Sequence, residues 1–317
     1  MNSIGSFSVR VLILISLMAP AYGNDLSVVG VQFEISPHIY ENTDIFRQTA
    51  VSLVQEAVLR YQPDLIVFPE YTGVFFQLIS LGSIFSPYEN WEDLSSRFRE
   101  INPDFHISQV FLDSEEMISL YLEIWSNLSR QYGVTIVAGT CFVPVESQGS
   151  IRLVNRAFVV TPQGEIGYTQ DKVFLTDFES SILGLSPGLV TAAKYFTVEG
   201  KKVCLSICRD TFFHQWESIF AEAFLWIDIK ANGESYGPEQ QELFQRALPA
   251  RLEGSQIPYG ITVCTVGSYL DLFWEGQSSL IYNSGKGILS LSAGDTVDRM
   301  DCIHGMLLDS GGGVPLR

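Results

Sequence analysis

Three residues that could act together on a carbonyl carbon stand at the ends of apolar segments. Glu70 follows DLIVFP, Lys172 follows GEIGYTQD and Cys208 follows KVCLSI. Each segment reads as a strand, so each ionisable group is expected at a strand exit, partly desolvated and facing the mouth of a sheet, where active sites gather. The three side chains are chemically complementary. A thiol attacks well only as thiolate, and its unperturbed pKa is about 8.5. A carboxylate beside it can take the proton during attack. An ammonium can stabilise the thiolate and then the oxyanion of a tetrahedral intermediate, with the backbone N–H of Arg209 as a second donor. The protonated carboxyl can next deliver its proton to a leaving amine. Cys, Glu and Lys thus suffice for acyl transfer through a thioester without a metal.

Each residue alone has a plainer reading. A Glu after Pro is more often on the surface, a lone Lys is usually a solvated charge, and a Cys at the end of a buried strand is more often a small core hydrophobe than a nucleophile. The order of the three, each at a strand exit, is what favours chemistry. Cys204 is the rival thiol. It lies four residues before Cys208, so on one strand both side chains are expected to face one way, roughly 13 Å apart and too far to bridge. Cys204 stands inside the strand and is assigned to the core.

The elements that must hold these groups follow from periodicity. Residues 26–34 (LSVVGVQFE) read as a strand, and 42–61 as a helix with Asn42 or Thr43 as its cap and Pro63 as its stop. A short buried strand covers 64–68. Residues 72–112, rich in aromatics with weak periodicity, read as an excursion from the core that forms either a lid over the pocket or a surface decoration. A helix follows at 115–132, a strand at 134–140, and hairpins at 153–170 and 193–208. Helices are expected near 211–224 and 237–253, and strands near 259–266, 277–283 and 287–292. This order predicts two mixed sheets covered by helices, and not a simple parallel doubly wound sheet.

The bulk composition narrows the function classes. Residues 11–20 (VLILISLMAP), after Arg10 and before Ala21 and Gly23, have the order of a secretory signal. They are too few for a comfortable membrane span, which needs about 20 residues. Residues 1–24 are therefore expected to be a signal peptide, and the protein to be exported, periplasmic or extracellular. One domain is expected over 25–308, with a loose tail at 309–317. No later segment reads as a transmembrane helix. The formal charge of −17 disfavours nucleic acid and anionic membranes as partners. The cysteines (Cys141, Cys204, Cys208, Cys264, Cys302) are odd in number and form no disulfide framework. There is no CxxC and no HxxxH, so no metal or other cofactor is expected.

The chain also resembles the nitrilase, or carbon–nitrogen hydrolase, superfamily from 28–34 (VVGVQFE) to about Leu291. The likeness rests on DLIVFPEY (64–71), GYTQDKVFLTDFE (167–179) and VCLSICRD (203–210), with support from AGT (138–140), Asn155, Pro187-Gly188 and GQSSLI (276–281). The resemblance implies a four-layer α-β-β-α sandwich of two mixed β-sheets, commonly paired into homodimers through the helical layer. It implies Glu70 as general base, Lys172 as oxyanion stabiliser and Cys208 as nucleophile. Glu179 matches a second glutamate of the family, expected to orient substrate or Lys172.

Two signals conflict over the branch. KVFLTDFESSILGLSPG has the spacing of true nitrilases, whereas Arg209-Asp210 is similar to amidases. The long interval from Glu70 to Lys172 is similar to that of exported members such as the pantetheinase and biotinidase group. The family often has Pro where Lys230 stands, on a strand that lines its pocket, so substrate choice does not carry over. Arg209, Asn232 and Trp216 are the expected substrate-binding residues. The expected activity is hydrolysis of a small linear amide. Hydrolysis of a nitrile by the same residues, transfer to an acceptor other than water, and a non-catalytic binding protein that keeps the fold are the alternatives.

Overall fold

The computed structural model describes residues 25–81, 90–102, 104, 106–147 and 149–309. The expected leader at 1–24, residues 82–89 of the aromatic-rich excursion and residues 310–317 of the expected tail lie outside them.

The strands are β1 (Leu26–Ile35), β2 (Leu65–Phe68), β3 (Thr135–Ser147), β4 (Ser150–Val160), β5 (Ile166–Asp171), β6 (Phe196–Val198), β7 (Lys201–Ile207), β8 (Leu225–Ala231), β9 (Tyr259–Tyr269), β10 (Leu272–Trp274), β11 (Ser279–Asn283), β12 (Ile288–Ala293) and β13 (Asp301–Leu307). The α-helices are α1 (Thr43–Tyr61), α2 (Val74–Gln77), α3 (Trp91–Ile101), α4 (Gln109–Leu112), α5 (Glu115–Tyr132), α6 (Gln215–Ile219), α7 (Pro238–Arg246) and α8 (Leu248–Glu253).

Local chemistry sets many of these bounds. Asn42 caps α1, its side-chain oxygen accepting from the Asp44 and Ile45 N–H groups at 3.0 and 2.9 Å. Gln62 closes that helix in the left-handed conformation, one residue before Pro63. Gly133 does the same for α5. The single helix expected over 237–253 is divided at Ala247, two residues before Pro249, into α7 and α8. The helix expected near 211–224 is reduced to α6, because residues 208–212 form a tight 3₁₀ turn.

Where the sequence predicts two mixed sheets, the described strands join in one thirteen-stranded mixed network whose main path runs β5-β4-β3-β2-β1-β9-β8-β7-β6. The joint is β1. Its Val28–Gly30 segment runs parallel to β2, its Phe33–Ile35 end runs parallel to β9, and β13 lies antiparallel on its other edge. A strand so shared is buried along nearly its whole length, its polar Ser27 and Gln32 included.

Alternation on the other strands sorts three apolar clusters. In β2, Ile66 and Phe68 face α1 and α5, where Phe46, Val54, Tyr121 and Trp125 pack on them. Leu65 and Val67 face the opposite way and share a cluster with Leu205, Ile207, Ile227 and Val263 from the other half of the network. On the far side of β7 and β8, Cys204 and Trp226 pack with Trp216, Phe220, Leu248 and Leu252 from α6, α8 and the turn after α6. Gly30 marks a close approach: a Cβ there would come within 2.9 Å of Val263 Cγ2.

The excursion at 72–112 is partly core. The α2 residues Val74, Phe75, Phe76 and Gln77 are all buried, and Phe75 packs edge-on against Trp274 with ring centroids 5.3 Å apart.

Candidate active site

The three chain exits named above meet in space. Glu70 leaves β2 through Pro69, Lys172 directly follows β5, and Cys208 directly follows β7. Lys172 Nζ donates to Glu70 Oε1 at 2.8 Å and to the Glu179 carboxylate at 2.8 Å. All three side chains are buried. Asn155, on β4, donates from Nδ2 to Glu70 Oε1 at 2.9 Å and to Glu179 Oε1 at 3.2 Å. The Tyr71 hydroxyl donates to Glu179 Oε1 at 2.9 Å, and the Thr176 N–H and hydroxyl donate to Oε2 at 2.9 and 3.1 Å. The second oxygen of Glu70 accepts the Ala231 N–H at 2.9 Å, so Glu70 ties the end of β8 to the end of β2. Asn155, Tyr71 and Thr176 are site residues that sequence reasoning did not single out as such. Asn155 carries the one usable signal, as a supporting match in the family resemblance.

One cation between two buried carboxylates separates their proton affinities. Burial pushes Glu70 up, and the Glu179 charge adds to this against the pull of Lys172, so its pKa lies above the ordinary carboxylate value. Burial also pushes Glu179 up, but Lys172, Thr176 and Tyr71 more than offset it, and its pKa lies below the ordinary value. Burial works against the Lys172 ammonium, yet Glu70, Cys208 and Glu179 hold its pKa above that of a free lysine. Of the two carboxylates that share Lys172, Glu179 therefore holds its proton less tightly and Glu70 more tightly.

The loop that carries Glu70 is braced by β3. Tyr71 has φ +66°, and its N–H donates to Thr140 Oγ1 at 2.9 Å. Gly139 also has a positive φ, and a Cβ there would lie 2.2 Å from the Pro69 carbonyl oxygen. The β3–β4 register shifts between Val137 and Thr140 to make this room. Gly139→Ala should therefore cost about 2–4 kcal/mol, combining backbone strain with a clash that moves the glutamate loop. Urea unfolding checks this, and wild-type stability in the variant would show that the loop yields.

Cys208 adopts φ +51°, rare for a side chain without glycine's freedom. Strand alternation alone would place its thiol on the face of Cys204. The left-handed turn breaks that alternation: Cys204 lies in the cluster of Trp216 and Trp226, whereas Cys208 packs against the cluster of Ile207 and Val263. The expectation that the two thiols face one way is thus corrected. Burial pushes the Cys208 thiol up to about 12, Glu70 pushing further and Lys172 and Lys230 opposing it, so the resting group is a neutral thiol. Asp210 ties this turn to the Lys172 loop. Its carboxylate accepts the Ile207 N–H at 3.3 Å, the Val173 N–H at 3.1 Å and the Phe174 N–H at 2.8 Å.

Cys208 and Lys172 line a cavity of about 760 Å³ together with Tyr71, Thr176, Arg209 and Asn232. Its apolar wall comes from Phe178, Phe212, Phe213, Leu243, Phe273 and Trp274. Arg209 donates from its guanidinium to the Leu175 carbonyl at 2.8 Å. The Asn232 side chain donates to the Glu234 and Glu275 carbonyls at 2.7 and 2.9 Å, so both residues shape the rim while partly engaged elsewhere. Trp216 does not join them. It is fully buried and stacks on Phe220 with centroids 5.2 Å apart, because α6 turns its apolar face toward β7 and β8. Among the described residues, none of the excursion at 72–112 lines the cavity. Its α3 is moored to the rim, the Trp91 N–H donating to Asp271 Oδ1 at 2.8 Å. No group of three His, Cys, Asp or Glu able to hold a metal ion occurs among the described residues, and no helix among them is long and apolar enough to cross a membrane.

The family model for carbon–nitrogen hydrolases matches residues 30–294. No curated protein matches the chain in sequence. Solved structures do match in fold. A double mutant of the amidase from Nesterenkonia sp. AN1, in complex with acrylamide, is 15% identical, with a TM-score of 0.64 over 91% of this chain and 92% of that one. Saccharomyces cerevisiae Nit3, a member of branch 10 of the nitrilase superfamily, is 20% identical, with a TM-score of 0.62 over 90% and 91%. A carbon–nitrogen hydrolase from Helicobacter pylori G27 is 17% identical, with a TM-score of 0.63 over 89% of each chain.

Proposed function

Because the chain belongs to the carbon–nitrogen hydrolase family, we propose that it hydrolyses a small linear amide through a thioester on Cys208. The observation that carries this reading is the Lys172 ammonium, held 2.8 Å from each of two buried carboxylates and opening onto the cavity that Cys208 lines. In the Nesterenkonia amidase, a mutant shows covalent addition of the acetamide moiety of fluoroacetamide at its active-site cysteine, and we read Cys208 as the counterpart. The three apolar clusters are read in turn as the interfaces of a four-layer α-β-β-α sandwich.

In this reading the substrate carbonyl enters beside Lys172. Glu70 takes the Cys208 proton as the sulfur attacks, because a thiol with a pKa of about 12 is otherwise almost wholly protonated. The oxyanion forms against Lys172 and the Arg209 N–H. Glu70, now neutral and with its proton affinity raised by burial, protonates the leaving amine, and the C–N bond breaks to leave the thioester. Glu70 then takes a proton from water as it attacks the thioester, and returns that proton to the Cys208 sulfur as the C–S bond breaks and the acid is released, restoring the thiol and the carboxylate. Glu179 keeps Lys172 charged and in place throughout.

The aromatic wall points to a substrate with an apolar acyl group. Phe178 and Phe273 are 38% and 40% exposed where they line the cavity, an unfavourable state that an apolar ligand would relieve. At about 0.8 kcal/mol per buried methylene, kcat/KM should be at least about tenfold higher for hexanamide or phenylacetamide than for acetamide. Phe273→Ala should reduce that preference and leave the acetamide rate unchanged. Ammonia release across these amides checks it; an acetamide preference in the wild type would contradict the apolar acyl assignment.

A nitrile substrate is the second reading, favoured by the spacing from Lys172 to Gly188. Ammonia release from nitriles but not from amides would select it. No turnover across amides, N-carbamoyl compounds and nitriles by folded protein would favour a binding role. We also propose export after removal of residues 1–24, checked by the N-terminal sequence of protein recovered from its native host, and a homodimer, checked by light scattering.

A further inference from the structure

Behind the nucleophile turn lies a second buried ion pair that the chemistry above does not use. Lys230 Nζ is 2.9 Å from Asp228 Oδ2. It also donates to the Cys208 carbonyl oxygen at 3.1 Å and to Thr211 Oγ1 at 3.1 Å. The Thr211 hydroxyl donates to the same Cys208 carbonyl at 2.8 Å. Lys230 and Asp228 are buried, and Lys230 is boxed by the Phe212 and Phe244 rings at 5.3 and 5.4 Å. Lys230 does not line the cavity, although its neighbour Ala231 does. A buried ion pair of this kind is poor as a source of stability alone, since desolvation consumes most of the Coulombic gain.

Its geometry suits another task. The Cys208 carbonyl and the Arg209 N–H belong to one planar trans peptide and point in opposite directions. Cys208 is held at φ +51°, a conformation that persists only when its surroundings fix it. Drawing the carbonyl inward onto an ammonium and a hydroxyl turns the N–H outward. Arg209 stands in the first turn of the 3₁₀ segment Cys208–Phe212, where N–H groups have no partner within the turn. A charged donor on the carbonyl also polarises the peptide and strengthens its N–H as a donor.

We propose that Lys230, kept charged by Asp228, is a positioning residue that clamps the Cys208 carbonyl and thereby aims and strengthens the Arg209 N–H as the second oxyanion donor. The inference rests on the thioester reading above.

Removing Lys230 alone would strand Asp228 in the core, so the test uses the neutral pair Lys230→Met with Asp228→Asn. Loss of one oxyanion donor typically lowers kcat by about 10²–10³-fold. The double variant should show a kcat loss of that order, with KM within about threefold of wild type. Alkylation of Cys208 by iodoacetamide, a displacement that forms no oxyanion, should stay within about threefold of wild type from pH 6 to pH 9. Lys230→Gln with Asp228→Asn keeps a neutral donor on the carbonyl and should recover at least about tenfold of the loss. Thr211→Val introduces no buried charge and serves if the pair variants do not fold; it should lower kcat about fivefold with KM unchanged. A folded pair variant with kcat within threefold of wild type would overturn the inference, as would alkylation falling in parallel with kcat. If neither pair variant folds, a Thr211→Val enzyme with wild-type kcat overturns it. A wild type with no turnover on any amide or nitrile sinks the thioester reading and this inference with it, whereas an active wild type with an unaffected variant sinks this inference alone.

Discussion

Cys208→Ala should lower amide turnover by on the order of 10⁴-fold or more, the scale seen when a nucleophile that works as a unit with its base is deleted. The reason is that nothing else in the site can form the acyl intermediate. Lys172 is held as an ammonium by Glu70 and Glu179 and so has no lone pair for attack, and Cys204 is buried against Trp226 and donates to the Leu225 carbonyl at 3.6 Å. The fold should survive, because alanine fits the Cys208 backbone no worse than cysteine does and the side chain is only partly buried. Circular dichroism and the urea midpoint should match wild type while ammonia release falls to background. Residual turnover above a few per cent would move the nucleophile elsewhere.

Lys172→Met should be the most destabilising single change in the site. It leaves Glu70 and Glu179, both 0% exposed, without their cation. Breaking a buried pair from one side costs about 3–5 kcal/mol. The pH dependence has a definite sign. In wild type, the lowered pKa of Glu179 gives stability that is present above the unfolded value, near 4.3, and is lost as pH falls through the folded value. In the variant the lowering cause is gone and burial raises both carboxyl groups. The folded variant then binds more protons than the unfolded chain between the unfolded and raised values, so its stability falls as pH rises through that window. The deficit against wild type should be larger at pH 8 than at pH 5, measured by urea unfolding at both. An equal deficit at the two values would mean that the carboxylates find other partners.

The parts of the fold that are legible in sequence are those where local pattern and tertiary role agree. Helix α5 is bounded by its amphipathic stripe and Gly133, and the hairpin of β6 and β7 by Glu199-Gly200, both at positive φ. The parts that are not legible depend on distant partners. Strand β13 has mixed burial and becomes a strand only because the edge of β1 offers Leu26–Gln32 as a template. Strand β10 spans three residues and exists against Gly267–Tyr269 of β9. The union of the sheets is equally hidden, since pairing of β1 with β9 is a property of where β1 ends and not of its composition.

The site follows the same division. Glu70, Lys172 and Cys208 are nameable from sequence because three complementary titratable groups at successive strand exits stand out together, and Glu179 is nameable only through the family resemblance. Trp216 is misplaced as a pocket residue because an aromatic in a short helix carries no sign of which face it presents. The Asn155 bridge and the Lys230 clamp escape sequence reasoning as site features because each depends on two or more strands brought side by side.

Trapping the covalent intermediate decides whether Cys208 is the nucleophile. Fluoroacetamide, or an amide that acylates faster than it deacylates, should be incubated with purified protein and the Cys-containing peptides mapped by mass spectrometry. A single acyl or acetamide adduct on Cys208, absent in Cys208→Ala, is the expected result. Turnover of the amide without an adduct on Cys208, or an adduct on Cys204, Cys141, Cys264 or Cys302 in its place, would contradict it.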